Sequence, residues 1–314
     1  MIVAITGGTG FIGKHLIARH VARGDKVRYL TRIKAAQDLP NAVAHIGSLS
    51  SSSDELRRFV DGADLLYHCA AELRNEATME NTNVQGTANL LAAARSAIGR
   101  WVQLSSTGIY GNGLHGEIHE NSAINPVNSY ERSKARSDEL VCTAAVDQNL
   151  PCVLLRPSNV YGTDMPNQSL FQLIGLIDRG MFFFIGRLGA VANYIHVENV
   201  VDAMVLCGTA TLPGNGRGYI VSDHRTLEDF VGIIATSLGK TAPLKRLPRS
   251  LVRAAVALAS SIPKFPLKSS RVDALTNRTV YRIDRIESEL GYKNRISMEE
   301  GIGELTRYWK NAST

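Results

Sequence analysis

Tyr130 and Lys134 stand four residues apart in the segment Tyr130-Glu131-Arg132-Ser133-Lys134. On a helix that spacing puts both side chains on one face, one turn apart. A free phenol titrates at about 10. A neighbouring ammonium favours the phenolate and draws that value toward neutrality, which makes Tyr130 a candidate general acid or base. A second set of reactive groups is the run Leu104-Ser105-Ser106-Thr107-Gly108-Ile109-Tyr110-Gly111. Hydroxyls at the C-terminal edge of a parallel sheet face the crevice where ligands bind, and one of them can hold a carbonyl oxygen as charge develops on it.

A third set is Thr6-Gly7-Gly8-Thr9-Gly10-Phe11-Ile12-Gly13, with Gly7, Gly10 and Gly13 spaced three apart. The first permits a tight turn, the second lets backbone approach a pyrophosphate, and the third lets a helix pack on the preceding strand. The pyrophosphate then rests on the positive end of that helix. At the end of the next strand an acidic residue would bind the ribose of NAD, but this chain has Thr31-Arg32 with Lys34 close by. A cation suits the 2′-phosphate of NADP, so NADP is the expected cofactor and NAD the alternative.

These residues need elements to hold them, and the pattern supplies them. Strands are expected at Ile2–Thr6, Lys26–Thr31, Asp64–Cys69, Trp101–Ser105 and Cys152–Arg156. Helices are expected at Lys14–Arg23, Ser53–Val60, Thr82–Ser96 and Tyr130–Gln148. Apolar strands alternating with amphipathic helices point to βαβ units, that is, a doubly wound parallel α/β sheet of Rossmann type. The near-continuous apolar character of each strand fits burial on both faces. After Gly162 the rhythm changes to a smaller helix-rich part. The expected division is a dinucleotide-binding domain at 1–165, completed by 193–225, and a substrate-binding domain formed by 166–192 and 226–314.

The composition of the 314 residues, 44% hydrophobic and 20% charged, is that of an ordinary globular chain. Four cysteines without a Cys-x-x-Cys pair, and without a histidine cluster, read as reduced core residues of a cytoplasmic protein that holds no metal. The apolar start, Met-Ile-Val-Ala-Ile, lacks a basic leader and reads as a buried strand. No run has the length of a membrane span. Leu251–Ile262 reads as an amphipathic helix, and no membrane partner is expected. From Lys240 to Arg285 there are 11 basic residues and 2 acidic ones. That excess suits a solvated face or an anionic ligand. Nucleic acid is not expected, because aromatic residues are not interleaved with the charges.

Taken in order, these segments resemble the extended short-chain dehydrogenase/reductase family of nucleotide-sugar epimerases, reductases and dehydratases. The resemblance also rests on His68-Cys69-Ala70-Ala71, Asn83-Val84-Gln85-Gly86-Thr87, Arg156-Pro157-Ser158-Asn159-Val160-Tyr161-Gly162 and Tyr194-Ile195-His196-Val197-Glu198-Asn199-Val200. It implies Tyr130 as the acid/base, with Lys134 lowering its pKa and holding the nicotinamide ribose. Ser106 takes the place of the catalytic hydroxyl, with Thr107 as a substitute on the substrate side. Phe11, Ile12, Ala70 and Ala71 would line the cofactor, Pro157 would abut the nicotinamide, and Asn83 and Asn159 would face substrate. His196 reads as structural, with Asn199 as a helix N-cap. A homodimer through the helices at Asn83–Ser96 and Tyr130–Gln148 is a further expectation from the resemblance.

Departures from the family pattern narrow the reaction. Gly108-Ile109 stands where dehydratases carry an Asp-Glu pair, which disfavours loss of water. Gly47-Ser48-Leu49 replaces Gly-Asp-Leu, leaving Ser48 and Leu49 to contact adenine. Ala192 stands where many nucleotide-sugar enzymes have a diphosphate-binding arginine, for which Arg187, Arg271, Arg278 or Arg282 would have to substitute. The leading expectation is hydride transfer at a sugar carbon of a nucleotide sugar, by a 4-keto reductase or a 4-epimerase. The alternative is a 3β-hydroxysteroid or ketone dehydrogenase acting on an apolar substrate. Met181-Phe182-Phe183-Phe184 would line a pocket for such a substrate or fill the core.

Overall fold

The computed structural model describes residues 1–32, 41–95, 97–111, 115–259 and 269–313. Lys34 lies outside them. Seven parallel strands form the central sheet: β1 (Ile2–Thr6), β2 (Lys26–Thr31), β3 (Ala42–Ile46), β4 (Ala63–His68), β5 (Ile98–Leu104), β7 (Cys152–Pro157) and β11 (Arg217–Val221). Their order is β3-β2-β1-β4-β5-β7-β11, so the strand order reverses between β1 and β4. In such sheets the crevice at the reversal, beyond the carboxyl ends of the strands, is where ligands bind.

Alternation along the strands explains the layering. Val3, Ile5, Val27 and Tyr29 pack on one face with Leu16 and Ile17 of α1 (Phe11–Ala22) and with Val200 and Met204 of α7 (Val197–Thr209). Ala4, Leu30, Leu66 and Trp101 face the other way. They meet α2 (Ser53–Val60), α4 (Gly86–Ala94) and α5 (Ser129–Asp147) through Leu56, Phe59, Leu90 and Val141.

A separate core lies toward the C-terminal part. Leu170 and Ile174 of α6 (Ser169–Asp178), Phe230 and Ile234 of α8 (Leu227–Leu238), and Ile302 and Leu305 of α12 (Met298–Ser313) build it. Phe182 and Phe184 belong to it, so of the two roles open to that aromatic run these two fill the core. Small sheets edge this part: β10 (Val191–His196) between β8 (Asn159–Tyr161) and β12 (Asp223–Thr226), β9 (Phe184–Ile185) with β13 (Arg246–Leu247), and β6 (His115–Ile118) with β14 (Arg278–Tyr281). Helices α9 (Arg249–Ala259) and α10 (Ser269–Ala274) complete it, while α11 (Asp284–Leu290) packs on β11 and places Ile286 in the core of the central sheet.

One expected helix is interrupted. Before α4, a short α3 (Glu76–Met79) runs into a π-helical turn at Glu80–Gln85, where the Gly86 amide reaches back to the Asn81 carbonyl. The wider turn brings Asn81 and Thr82 to the ligand crevice while Asn83 points inward and is buried. The outer face of α5 exposes Arg132, Arg136 and Glu139 together with Val146.

Candidate active site

A cavity of about 960 Å³ opens at the carboxyl ends of β1, β2, β4, β5 and β7. One side is built of main chain. Gly7 has a φ of +68°, where a side chain would be strained, and an added Cβ there would sit 2.7 Å from the Ala70 amide nitrogen. At Gly13 an added Cβ would lie 2.1 Å from the Gly7 carbonyl oxygen. The Gly10 amide donates to that carbonyl at 2.9 Å and closes the turn. Helix α1 then starts with no side chain capping its first amides and no acidic residue in its first turn. Free amides at a positive helix end, reached through a cradle that side chains would fill, fit a dinucleotide pyrophosphate.

Phe11, Ile12, Arg32, Ser48, Leu49, Ala70 and Ala71 line the same side. Arg32 is exposed at the end of β2, and the adjoining loop is pinned by the Gly47 amide, which donates to the Thr31 carbonyl at 2.8 Å. His68 sets the β4 end of the crevice. Its ring bridges the Thr6 hydroxyl at 2.7 Å and the Thr87 hydroxyl at 2.9 Å, and burial pushes it down to about 3, so it is neutral. Thr6 in turn accepts from the Ala70 amide at 3.2 Å, which fixes the loop that faces Gly7.

The other side is built of side chains on α5. Asn128 caps the helix by accepting from the Glu131 amide at 2.9 Å, which starts the helix in the phase that turns Tyr130 and Lys134 into the cavity. Lys134 Nζ donates to the Leu104 carbonyl at 2.7 Å, tying the helix to the end of β5. Ser106 Oγ accepts from the Gly108 amide at 3.0 Å, and its side chain also bonds the Tyr130 phenol. Burial pushes that phenol up to about 12, with the Ser106 bond pulling the other way. The drop toward neutrality expected from Lys134 is therefore not what these surroundings produce, because desolvation dominates. Tyr130 is a protonated phenol, the state of a general acid.

Behind these residues lies a buried ionic group that the sequence reading missed. Asp138 continues the Tyr130–Lys134 face by four more residues and is 2% exposed. It accepts from Ser105 Oγ at 2.7 Å and from Arg156 Nε at 3.4 Å. Burial lowers the pKa of Lys134 and raises that of Asp138, and their mutual attraction opposes both shifts. Arg156 goes on to donate to the Tyr110 hydroxyl at 2.9 Å. The signal available was the spacing: residues 130, 134 and 138 repeat every four positions.

Of the substrate-side candidates, Asn159 lines the cavity and donates to the Asn193 carbonyl at 3.0 Å. Pro157 lines it as well. Asn83 and Thr107 do not. Asn83 accepts from the Glu72 amide at 2.6 Å and donates to Ser133 Oγ at 2.9 Å, fastening the loop after β4 to α5. Thr107 donates to the Pro157 carbonyl at 3.3 Å. Arg187 lies in a second pocket of about 770 Å³ with Arg246, Arg249 and Arg278. Arg282 is ion-paired with Asp284 and Glu117, and Arg271 donates to Gln172. Glu72, Asn75, Pro166 and Asn167, which no motif marked, complete the wall.

The N-cap of α7 is His196, whose ring accepts from the Glu198 amide at 3.3 Å. Asn199 is one turn in and instead accepts from the amides of Arg295 and Ile296, which corrects its expected role. All four cysteines are free. Among the described residues no cluster of His, Cys, Asp or Glu could hold a metal, and no helix is long and apolar enough to cross a membrane.

Comparison with known proteins bears on this site. The model of the NAD dependent epimerase/dehydratase family matches residues 3–219. The 4-hydroxy-2-methyl-3-oxo-4-farnesyl-3,4-dihydroquinoline-1-oxide ketoreductase of Stigmatella aurantiaca is 30% identical, over 96% of this chain and 94% of that protein. The 3-beta-hydroxysteroid dehydrogenase of Mycolicibacterium neoaurum is 23% identical over 98% and 91%. The structure of UDP-glucuronic acid 4-epimerase from Bacillus cereus in complex with NAD superposes with a TM-score of 0.77 over the full length of both chains, at 17% identity. At that identity the likeness is one of fold.

Proposed function

This chain belongs to the NAD dependent epimerase/dehydratase family, and we propose that within it the protein is an NADP-preferring dehydrogenase or ketoreductase of an apolar ketone or secondary alcohol. The observation that carries the substrate class is Ala192. It is 5% exposed and stands in β10 opposite Arg225, at the place of the diphosphate-binding arginine. Arg225 does not replace that arginine, because Asp223 and Glu299 both hold it. The ketoreductase and hydroxysteroid names of the relatives support the same class. This reading displaces the nucleotide sugar expected first.

The turn from Gly7 to Gly13 would hold the cofactor pyrophosphate, Arg32 the 2′-phosphate, Lys134 the nicotinamide ribose, and Pro157 one face of the ring. Bound there, the nicotinamide supplies or accepts the hydride. In the reducing direction Tyr130 gives its phenolic proton to the carbonyl oxygen, and the Ser106 hydroxyl hydrogen-bonds that oxygen as negative charge grows on it. Lys134, held by Leu104, stabilises the phenolate left behind. We read the protein as cytoplasmic and as a homodimer that pairs through α4 and α5. Light scattering measures the mass.

A second reading, a nucleotide-sugar reductase or epimerase, is favoured by the arginines of the second pocket. Calorimetry on the NADP-saturated protein separates the two. Steroid and prenylated ketones oxidising NADPH, with UDP, dTDP and GDP not binding, is the expected result. Micromolar binding of any one nucleoside diphosphate overturns the apolar reading.

A further inference from the structure

The arginine pocket and the amphipathic helix α9 take no part in the chemistry above. On α9, Val252 and Val256 face inward and pack with Ile185, Val272 and Leu275. Arg249, Leu251 and Arg253 point outward, with Leu251 64% exposed. Leu247 lines the pocket and is 42% exposed, and Leu188, beside Arg187, is 67% exposed. Soluble surfaces carry single exposed leucines, but here one lines a basic pocket and two more stand next to or near its arginines in the chain, a pattern that asks for a partner.

The charges there do not balance. Arg187, Arg246, Arg249, Arg253 and Arg278 share two carboxylates: Glu228 pairs Arg246, and Asp273 serves both Arg249 and Arg253. Arg278 is held only by the Leu188 carbonyl, and Arg187 has no ion-pair partner among the described residues. Among the described residues, five cations against two anions leave an excess of three beside exposed leucines. Guanidinium groups match phosphate in fork geometry, and leucines beside them match the acyl boundary just beneath a layer of phosphates.

We propose that this face, formed by β9, β13, the outer side of α9 and the start of β14, docks on an anionic phospholipid surface, with the arginines on headgroup phosphates and Leu188, Leu247 and Leu251 at the acyl boundary. The amphipathic stretch at Leu251–Ile262 does not by itself predict a membrane partner, because its register against the arginines is set by the fold. Docking of this kind is peripheral and places no helix across the bilayer. The inference goes beyond the proposed function and does not depend on it.

The test is sedimentation of the full-length protein with vesicles, with no substrate present. Binding to phosphatidylcholine vesicles containing phosphatidylglycerol, weak binding to phosphatidylcholine alone, and release by salt are the expected results. Arg249→Gln with Arg278→Gln should lower the partition coefficient by roughly 25-fold, at about fivefold per arginine near the surface. Leu247→Ser with Leu251→Ser should weaken it while leaving the salt response. All four positions are exposed, and unchanged circular dichroism and NADP binding would show the variants folded. Equal or absent binding to the two vesicle types overturns the proposal. So does saturable binding of inorganic pyrophosphate without vesicles that the arginine changes remove, which would mark a soluble-anion site. Self-association that the leucine changes abolish, without vesicle binding, would assign the face to a second copy and overturn it as well.

Discussion

On the β1 side of the cavity recognition falls to main-chain atoms. Gly7, Gly10 and Gly13 remove side chains so that amides and a helix end meet the ligand, and no charge there need titrate. On the α5 side everything depends on buried side chains: Tyr130 is desolvated, and the attraction of Asp138 for Lys134 and Arg156 opposes the burial that penalises their charges. The first wall fails when atoms are added, and the second when charge is removed.

The sharpest separation should come from Tyr130→Phe. Turnover is expected to fall by about 10²–10⁴-fold. Cofactor affinity, read by calorimetry, should stay within about twofold, because the ring still fills its place. A matching loss of affinity would erase the distinction between the walls. Next in size, Asp138→Asn strands two buried cations and should cost about 3–5 kcal/mol in urea unfolding. A cost under about 1 kcal/mol would mean that Asp138 is not the counter-ion described here. Gly13→Ala puts a methyl against the Gly7 carbonyl and should raise the cofactor dissociation constant roughly 100-fold by displacing α1 from its strand. Circular dichroism should be unchanged. Arg32→Gln is a smaller change, expected to erase about tenfold of the preference for NADPH over NADH in kcat/KM. An unchanged ratio would release Arg32 from its assigned role.

A further effect concerns pH. His68 is held neutral by burial, with its pKa pushed down to about 3 from the ordinary 6.5. As pH falls below about 6.5 the unfolded chain takes up this proton first, so stability declines between there and about 3. His68→Asn should flatten that part of the urea-stability profile. A profile identical to the parent would show that other groups carry the acid sensitivity.

How much of this was legible depended on how far apart the partners lie in the chain. The turn from Thr6 to Gly13, the helix carrying Tyr130 and Lys134, and the alternation that buries both faces of the sheet are all written within a dozen residues each. In contrast, Asn83 looks like a substrate contact until Glu72 and Ser133 are seen to occupy its amide. Asn199 looks like a cap until Arg295 and Ile296 are seen to use its oxygen.

The sequence by itself therefore determined the dinucleotide turn, the phase of the catalytic helix and the parallel sheet, because steric limits on glycine and the helical and strand repeats are local rules. Only the tertiary structure decided that Asp138 meets Ser105 and Arg156, that Arg187 lines a second pocket, and that five arginines stand with two carboxylates beside exposed leucines. Those outcomes depend on which distant segments pair and how deeply they desolvate one another. Burial also raises the Tyr130 pKa, since removal of the phenol from water outweighs its bond to Ser106.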